Sequence, residues 1–264
     1  MTRLLDGSTP RDQARLLEQT NSVGHAFMSV PPNIHLHYTM PSDQYKTLLR
    51  WWLGVPLNVP PDPGGHIKCP GCQAEIDVFG DHILCCRRNN FITRHMAVQD
   101  TLAILLQEGG QGVTKEVPIP LAGTALRPAD LLVANWSAGK DTAIDITVCH
   151  AWQVGEQRVA GNINQDIIPR ERWRTFLKRK ETDTHTKYGI SCSTAGWGFS
   201  AMAFGTWGGV GPECAKMLHQ ITKRAASWQE GDLRASKAEQ ARHAVGWALM
   251  VKVLEHLNNK NYLG

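Results

Sequence analysis

Apolar residues recur at two periods along this chain, and the alternation of those periods predicts a mixed α/β protein. A short helical pattern runs from Leu4 to Leu17 in an otherwise polar N-terminus. A firmer helix covers Asp43 to Leu53: Ser42 suits its N-cap, Tyr45, Leu48, Leu49 and Trp52 share a face, and Gly54 and Pro56 stop it. The next helix spans about Phe91 to Glu108, with Val98, Leu102, Leu105 and Leu106 as its apolar face and Gly109-Gly110 at its end. Extended segments follow at Val113–Ile119, Ala129–Trp136 and Thr142–Cys149. A helical stretch from about Arg170 to Tyr188 comes next, with Pro169 fitted to its first turn, then an extended segment from Gly189 to Thr194. About Ala235 to Leu257 reads as a last helix, whose face of Ala241, Val245, Ala248 and Leu249 suits a core or an oligomer interface.

Proline and glycine divide this order into regions. The run Val59-Pro60-Pro61-Asp62-Pro63-Gly64-Gly65 is the clearest linker and sets a module boundary near residue 66. The expected organisation is a helical and proline-rich linker region at 1–65, a small Cys/His module at 66–90, an α/β domain at 91–215 and C-terminal helices at 216–264 packed on its core. A chain of 264 residues with 42% apolar content can bury one good core with a small appended module. No apolar run reaches the roughly 18 residues of a spanning helix, and MTRLLDGSTPRDQ lacks an apolar signal region, so no membrane association is expected. Seven cysteines fit reduced thiols and metal ligation better than a disulfide framework, which points to an intracellular, nuclear or cytoplasmic setting. Net charge is only +4, but Arg170, Arg172, Arg174, Lys178, Arg179 and Lys180 crowd one segment, as a phosphate-binding surface or a solvated helix face would.

Two chemical signatures stand in series. Cys69 and Cys72, with Pro70-Gly71 shaping the turn, can chelate from one knuckle, and His82 with Cys85 or Cys86 can complete a tetrahedron. Four protein ligands leave no open position, so a zinc ion held there would be structural. Reduced cysteines around a core histidine are the alternative. Downstream, Arg127-Pro128-Ala129-Asp130 and Ala143-Ile144-Asp145-Ile146-Thr147 supply an acid on each of two neighbouring strands. Strand alternation sets Ile144, Ile146 and Val148 on one face and Ala143, Asp145 and Thr147 on the other. Asp130 and Asp145 can hold Mg²⁺ or Mn²⁺ between them, with Glu116 as a third carboxylate, and such an ion activates water for phosphodiester hydrolysis. Helix, three strands, helix, strand is the core order of restriction-endonuclease-like folds. Their PD-(D/E)xK pattern carries a lysine two residues after the second acid, where this chain has Thr147. A lysine must then come from the following helix, where Lys180 and Lys187 share a stripe with Trp173, Leu177 and Thr184; Lys187, with Tyr188 beside it, is favoured.

These residues together resemble the C-terminal zinc-knuckle and restriction-like endonuclease region of site-specific non-LTR retrotransposons. Gly80-Asp81-His82-Ile83-Leu84-Cys85-Cys86 looks like that family's GDHxLxC segment, which favours Cys86 as the ligand. Thr93-Arg94-His95 with Asp100 is similar to its RHxxxxD helix start, Arg127 to Asp130 and Asp145 to Val148 to its RPD and DVxV strands, and Lys187-Tyr188 to its KY pair. Phe199 to Gly211, ending Thr206-Trp207-Gly208-Gly209-Val210-Gly211, and Leu49 to Pro56 resemble the flanking segments, so the likeness runs from about residue 25 onward. Ala129 lengthens the RPD motif by one residue, and Thr184 stands where the family often has a lysine.

The resemblance implies an α/β fold of PD-(D/E)xK type, a mixed sheet flanked by helices, preceded by a CCHC knuckle. It implies a structural Zn²⁺ on Cys69, Cys72, His82 and Cys86, and a target-nicking DNA endonuclease using Mg²⁺ or Mn²⁺ on Asp130 and Asp145. Lys187 or Lys180 and Glu116 would assist. Expected partners are DNA, held by Arg94, His95, Arg127, Arg170, Arg172, Arg174 and Arg179, retroelement RNA, and a reverse-transcriptase region supplied elsewhere. A nucleic-acid-binding module that keeps the fold and the knuckle without cleavage is the rival reading. His35, His37 and His66 read as solvated loop residues, Cys149, Cys192 and Cys214 as poor nucleophiles, and Trp197 and Trp207 as core.

Overall fold

The computed structural model describes residues 7–20, 28, 38–57, 68–69, 71–86, 88, 92–121, 126–152, 175–226 and 232–257. Helices α1 (Pro10–Gln19), α2 (Ser42–Leu53), the single-turn α3 (Asp81–Cys85) and α4 (Ile92–Glu108) precede strands β1 (Val113–Val117), β2 (Ala129–Ser137) and β3 (Lys140–Cys149). Helix α5 (Phe176–Thr194), strand β4 (Gly198–Gly205), α6 (Pro212–Ala225) and α7 (Asp232–Leu257) follow among the described residues. The strands form one mixed sheet in the order β1-β2-β3-β4, antiparallel through the first three and parallel between β3 and β4. A parallel pair needs a long crossover, and α5 supplies it.

Both faces of the sheet are covered, so its strands are apolar on both sides near the centre. Leu131, Val133, Ile144, Ile146, Met202 and Phe204 join α4, α6 and α7 in the main core. Ala143 and Ile119 meet Cys192 of α5 in a smaller cluster, with Tyr188, Trp197 and Phe199 packed around it. The α7 face of Ala241, Val245 and Leu249 is buried in the main core, whereas Ala248 is half-exposed. Ala14, Leu48, Trp51, Trp52 and Leu57 belong to that same core, so the N-terminal helices share the core of the sheet.

Three expectations are corrected. The segment Gly189–Thr194 is helix, and the strand lies further on at Gly198–Gly205. Phe176, Leu177, Glu181 and Cys192 fall on the buried side of one continuous helix, which tolerates Gly189 and ends at a turn where Gly196 adopts φ +79°. Only the part of the Arg170–Tyr188 prediction from residue 175 onward lies within the described residues. In α2, Ser42 is the first helical residue, flanked by Pro41, and caps nothing. Its buried side is Leu48, Trp51 and Trp52, and Tyr45 is exposed, because the core lies one residue around the helix from the predicted stripe. The helical pattern read from Leu4 to Leu17 is the helix Pro10–Gln19, capped by Thr9, which accepts from Asp12 N–H, with Pro10 in the first turn; residues 4–6 lie outside the described residues.

Helix α1 is charged, yet it buries Arg11, Arg15 and Glu18. Glu18 Oε1 accepts Trp207 N–H at 2.6 Å and Gly209 N–H at 3.4 Å, so its carboxyl sits inside the glycine-rich turn after β4. A Cβ on Gly209 would lie 2.2 Å from Glu18 Cγ and 3.1 Å from Glu18 O. Gly209→Ala is therefore expected to destabilise the fold by about 1–3 kcal/mol through overpacking, read as a lower urea midpoint with unchanged slope.

Candidate functional site

The Cys/His module is built from a tight turn and the first turn of α3. Cys69 N–H donates to Ala74 O at 2.8 Å and Gln73 N–H to Cys69 O at 2.7 Å, which folds Cys72 back over Cys69. The Asp77 carboxylate accepts from the N–H groups of Phe79, Asp81 and His82, at 3.0, 3.1 and 2.8 Å, and so fixes the start of α3. Gly80, at φ +77°, makes the reversal that brings His82 and Cys86 to the knuckle.

Cys69, Cys72, His82 and Cys86 bring their ligand atoms within 4.8 Å of one another and form a Cys3His cluster that can bind a metal such as zinc. Cys69 Sγ and Cys86 Sγ are 3.7 Å apart, and Cys72 Sγ is 3.2 Å from His82 Nε2. Tetrahedral zinc with bonds of about 2.3 Å to sulfur separates its sulfurs by about 3.8 Å, which is the spacing found. A disulfide would need about 2 Å. Cys85, the competing candidate, donates its thiol to Trp152 O at 3.3 Å and stands outside the cluster. The Ala74 N–H holds the Cys72 thiol below its ordinary value, while burial pushes Cys86 up to about 11. Crowded thiols split in this way until a cation compensates their charge.

Asp81, inside the same turn, anchors the module to the rest of the chain. It is 1% exposed and pairs with the Arg11 guanidinium, whose Nη2 reaches Oδ1 at 2.9 Å; His150 Nε2 lies 3.2 Å from the same oxygen. Burial pushes the Asp81 carboxyl up, but His150 and Arg11 outweigh it and hold it below its ordinary value. His150 Nδ1 meets Thr206 Oγ1 at 2.6 Å and its ring packs on Trp207. Helix α1, the knuckle and the ends of β3 and β4 are thus tied by one buried polar network.

The second feature is a row of acids across the sheet. The register pairs Lys115 with Leu131 and Val117 with Ala129, so Glu116 is level with Asp130. It pairs Leu131 with Ile144, so Asp130 is level with Asp145, and Asp145 pairs with Ala201. Adjacent strands lie about 5 Å apart, which spaces three carboxylates along one rung. Glu116 adopts φ +54°, an uncommon conformation for a side-chain-bearing residue in a strand. Ile144 and Ile146 face the main core while Ala143 lies in the opposite cluster, as alternation requires, and Asp145 and Thr147 fall on the Ala143 side.

Helix α4 closes over one end of the row. His95 Nε2 is 3.4 Å from Asp130 Oδ1, and Gln99 Nε2 donates to Glu116 Oε1 and to Asp130 O, both at 2.8 Å. Asp130 Oδ2 accepts the Ile146 N–H. Burial, then the charge of Asp130, pushes Asp145 up to about 7, opposed by His95, Lys187 and a hydrogen bond from Thr147. His95 is raised, chiefly by its bond to Asp130. Lys187 of α5 lies over the Tyr188 ring, 4.5 Å from its centroid, and stays more basic than usual through the Tyr188 hydroxyl and then Asp145.

The predicted residues therefore divide. Glu116, Asp130 and Asp145 share one rung, and Lys187 is the lysine whose charge Asp145 feels. Lys180 points elsewhere, over the Phe176 ring at 5.6 Å and toward Cys149. Arg94 is 2% exposed and donates to Leu84 O at 2.9 Å, so it braces α3 from within and presents no guanidinium to a phosphate. His95 sits among the acids instead of on an outer binding surface. Arg127 and Arg179 are exposed, whereas Arg170, Arg172, Arg174, His35, His37 and His66 lie outside the described residues. Burial pushes the thiols of Cys149, Cys192 and Cys214 up, which disfavours the nucleophilic thiolate at each. Trp207 is buried in the main core and Trp197 packs on the smaller one.

Gln99 was missed by sequence reasoning, although its spacing of four from His95 puts both on one helix side. No helix among the described residues is long and apolar enough to cross a membrane. No protein-family model matches the chain, and no similarity to a curated protein was found.

Proposed function

We propose that this chain is a metal-dependent DNA endonuclease with a restriction-endonuclease-like core and a structural zinc knuckle. The observation that carries the reading is the single rung holding Glu116, Asp130 and Asp145, with Lys187 near Asp145. Helix, three antiparallel strands, helix and a parallel fourth strand is the element order of PD-(D/E)xK nucleases, and the motif resemblance to site-specific retrotransposon endonucleases points the same way.

Asp130, Asp145 and Glu116 would hold a divalent cation, whose chemistry is to sharpen a water nucleophile and neutralise charge on the scissile phosphate. The protein's own groups do the rest. Lys187, kept protonated by Tyr188 and Asp145, supplies from α5 the cation that PD-(D/E)xK strands carry two residues after the second acid, where Thr147 instead donates to Asp145. The Ile146 N–H fixes one oxygen of Asp130, so the acid keeps its orientation as the neighbouring carboxylates are neutralised. Arg127, Lys178 and Arg179 are exposed and suit a phosphate backbone. DNA is the proposed substrate, with retroelement RNA and a separately supplied reverse-transcriptase region as further partners.

The test is relaxation of supercoiled plasmid in Mg²⁺ or Mn²⁺. Wild type is expected to nick or linearise it, and EDTA, Asp145→Asn and Asp130→Asn each to abolish the reaction with zinc content and melting temperature preserved. Retarded DNA migration without cleavage under every metal condition would sink the nuclease reading and leave a binding module.

A further inference from the structure

We propose that His95 is a nitrogen ligand in the acidic site, making it a mixed imidazole and carboxylate centre that takes a divalent first-row transition metal in preference to magnesium. The inference rests on the proposed nuclease site but concerns which ion that site accepts. His95, Glu116 and Asp130 offer ligand atoms within 4.8 Å of one another, and the separation of 3.4 Å between His95 Nε2 and Asp130 Oδ1 is close to the edge between neighbouring ligands of one ion. Asp130 divides its oxygens: Oδ2 takes the Ile146 N–H, and Oδ1 is the atom turned to His95. That division leaves one carboxylate oxygen and one imidazole nitrogen converging on the same point.

The surroundings hold these groups in place. Gln99 is 3% exposed and spends its amide on Glu116 Oε1 and Asp130 O, so it orients one ligand and the backbone of another. His95 and Gln99 are four residues apart on α4, and the helix therefore delivers ligand and support from one side. Magnesium demands oxygen ligands in near-ideal octahedral geometry, whereas imidazole suits transition metals. An all-carboxylate row would not discriminate in this direction.

Mn²⁺ binding by the zinc-loaded 264-residue chain reads the site directly through loss of the free-ion electron paramagnetic resonance signal, without any need for cleavage. Wild type is expected to bind one Mn²⁺ per chain and to yield it only to a large excess of Mg²⁺. His95→Gln should weaken Mn²⁺ by about tenfold or more, the cost typical of losing a metal-site group, while the Mg²⁺ competition constant moves far less. The imidazole is partly exposed, so its replacement leaves the core packing intact; unchanged zinc content and melting temperature check this. Glu116→Gln, a second variant, should weaken both ions. Equal Mn²⁺ affinity in wild type and His95→Gln, or no Mn²⁺ binding by wild type at millimolar ion, overturns the proposal. Plasmid assays on the same preparations separate the two readings: His95-dependent Mn²⁺ binding without cleavage removes the nuclease and keeps the metal centre, and cleavage with His95-independent binding does the reverse.

Discussion

Replacing Cys69 by serine is expected to abolish zinc binding and to unfold the Cys/His module, whereas Cys85→Ser leaves one zinc per chain. Cys69 is fully buried, 3.7 Å from Cys86 Sγ, and the small cluster it belongs to contains little else than Ile76, Ile83 and the other ligands. So few apolar side chains cannot fold a module of this size alone, and below about 40 residues a metal usually makes up the deficit. Structural zinc in small modules is worth on the order of 10 kcal/mol, so its loss dominates every other local contact. Cys85 lies next to Cys86 in sequence but gives its thiol to Trp152 O and stands outside the cluster, so its loss leaves the four ligands in place. Metal content by atomic emission and melting curves with and without a chelator make the comparison. Two zinc-free variants, or two zinc-loaded ones, would show that the ligand set is misassigned.

Helix α1 carries a second large effect, a stability that declines as pH rises. Burial pushes Glu18 from 4.5 up to about 8, against the Trp207 and Gly209 N–H groups that favour its charged form. A carboxyl whose pKa is raised by folding binds its proton more tightly when folded. Its contribution is therefore complete below about pH 4.5, shrinks through the interval above it, and is lost as pH passes 8. At about 1.4 kcal/mol per unit, the interval from 4.5 to about 8 corresponds to a few kcal/mol, on the order of 5. Glu18→Gln keeps an oxygen for Trp207 N–H and removes the titration. The variant should match wild type near pH 4 and melt progressively higher than wild type as pH rises to 9. Parallel melting curves from pH 4 to 9 would mean that Glu18 ionises without cost and that α1 is not held by a neutral carboxyl.

What could be read from the sequence was local. The helix–strand periods set α4, β1, β2 and β3 to within a few residues, because their apolar faces repeat within one element and Gly109-Gly110 stops the first of them. The spacing from Cys69 to Cys86 marked the cluster because zinc ligands close to each other in space are also close in the chain. The motif strings singled out Asp130, Asp145 and Lys187 in the same way. The end of α5 differs for a related reason: Tyr188, Ile190 and Cys192 alternate with small residues as in a strand, and the helical period wins only once Cys192 is packed on the sheet.

The tertiary structure alone decided where long-range partners meet. Register across β1, β2 and β3 put Glu116, Asp130 and Asp145 on one rung, and a shift of a single residue would have sent one of them to the opposite face. Docking of α4 turned Arg94 inward to Leu84 O and His95 onto Asp130, two neighbours in sequence with opposite fates on a helix surface. Arg11, Asp81 and His150, and likewise Glu18 with the turn at Trp207, are partners separated by tens of residues or more. No spacing rule links such pairs, since each charge is tolerated in the interior only once folding has delivered its counterpart.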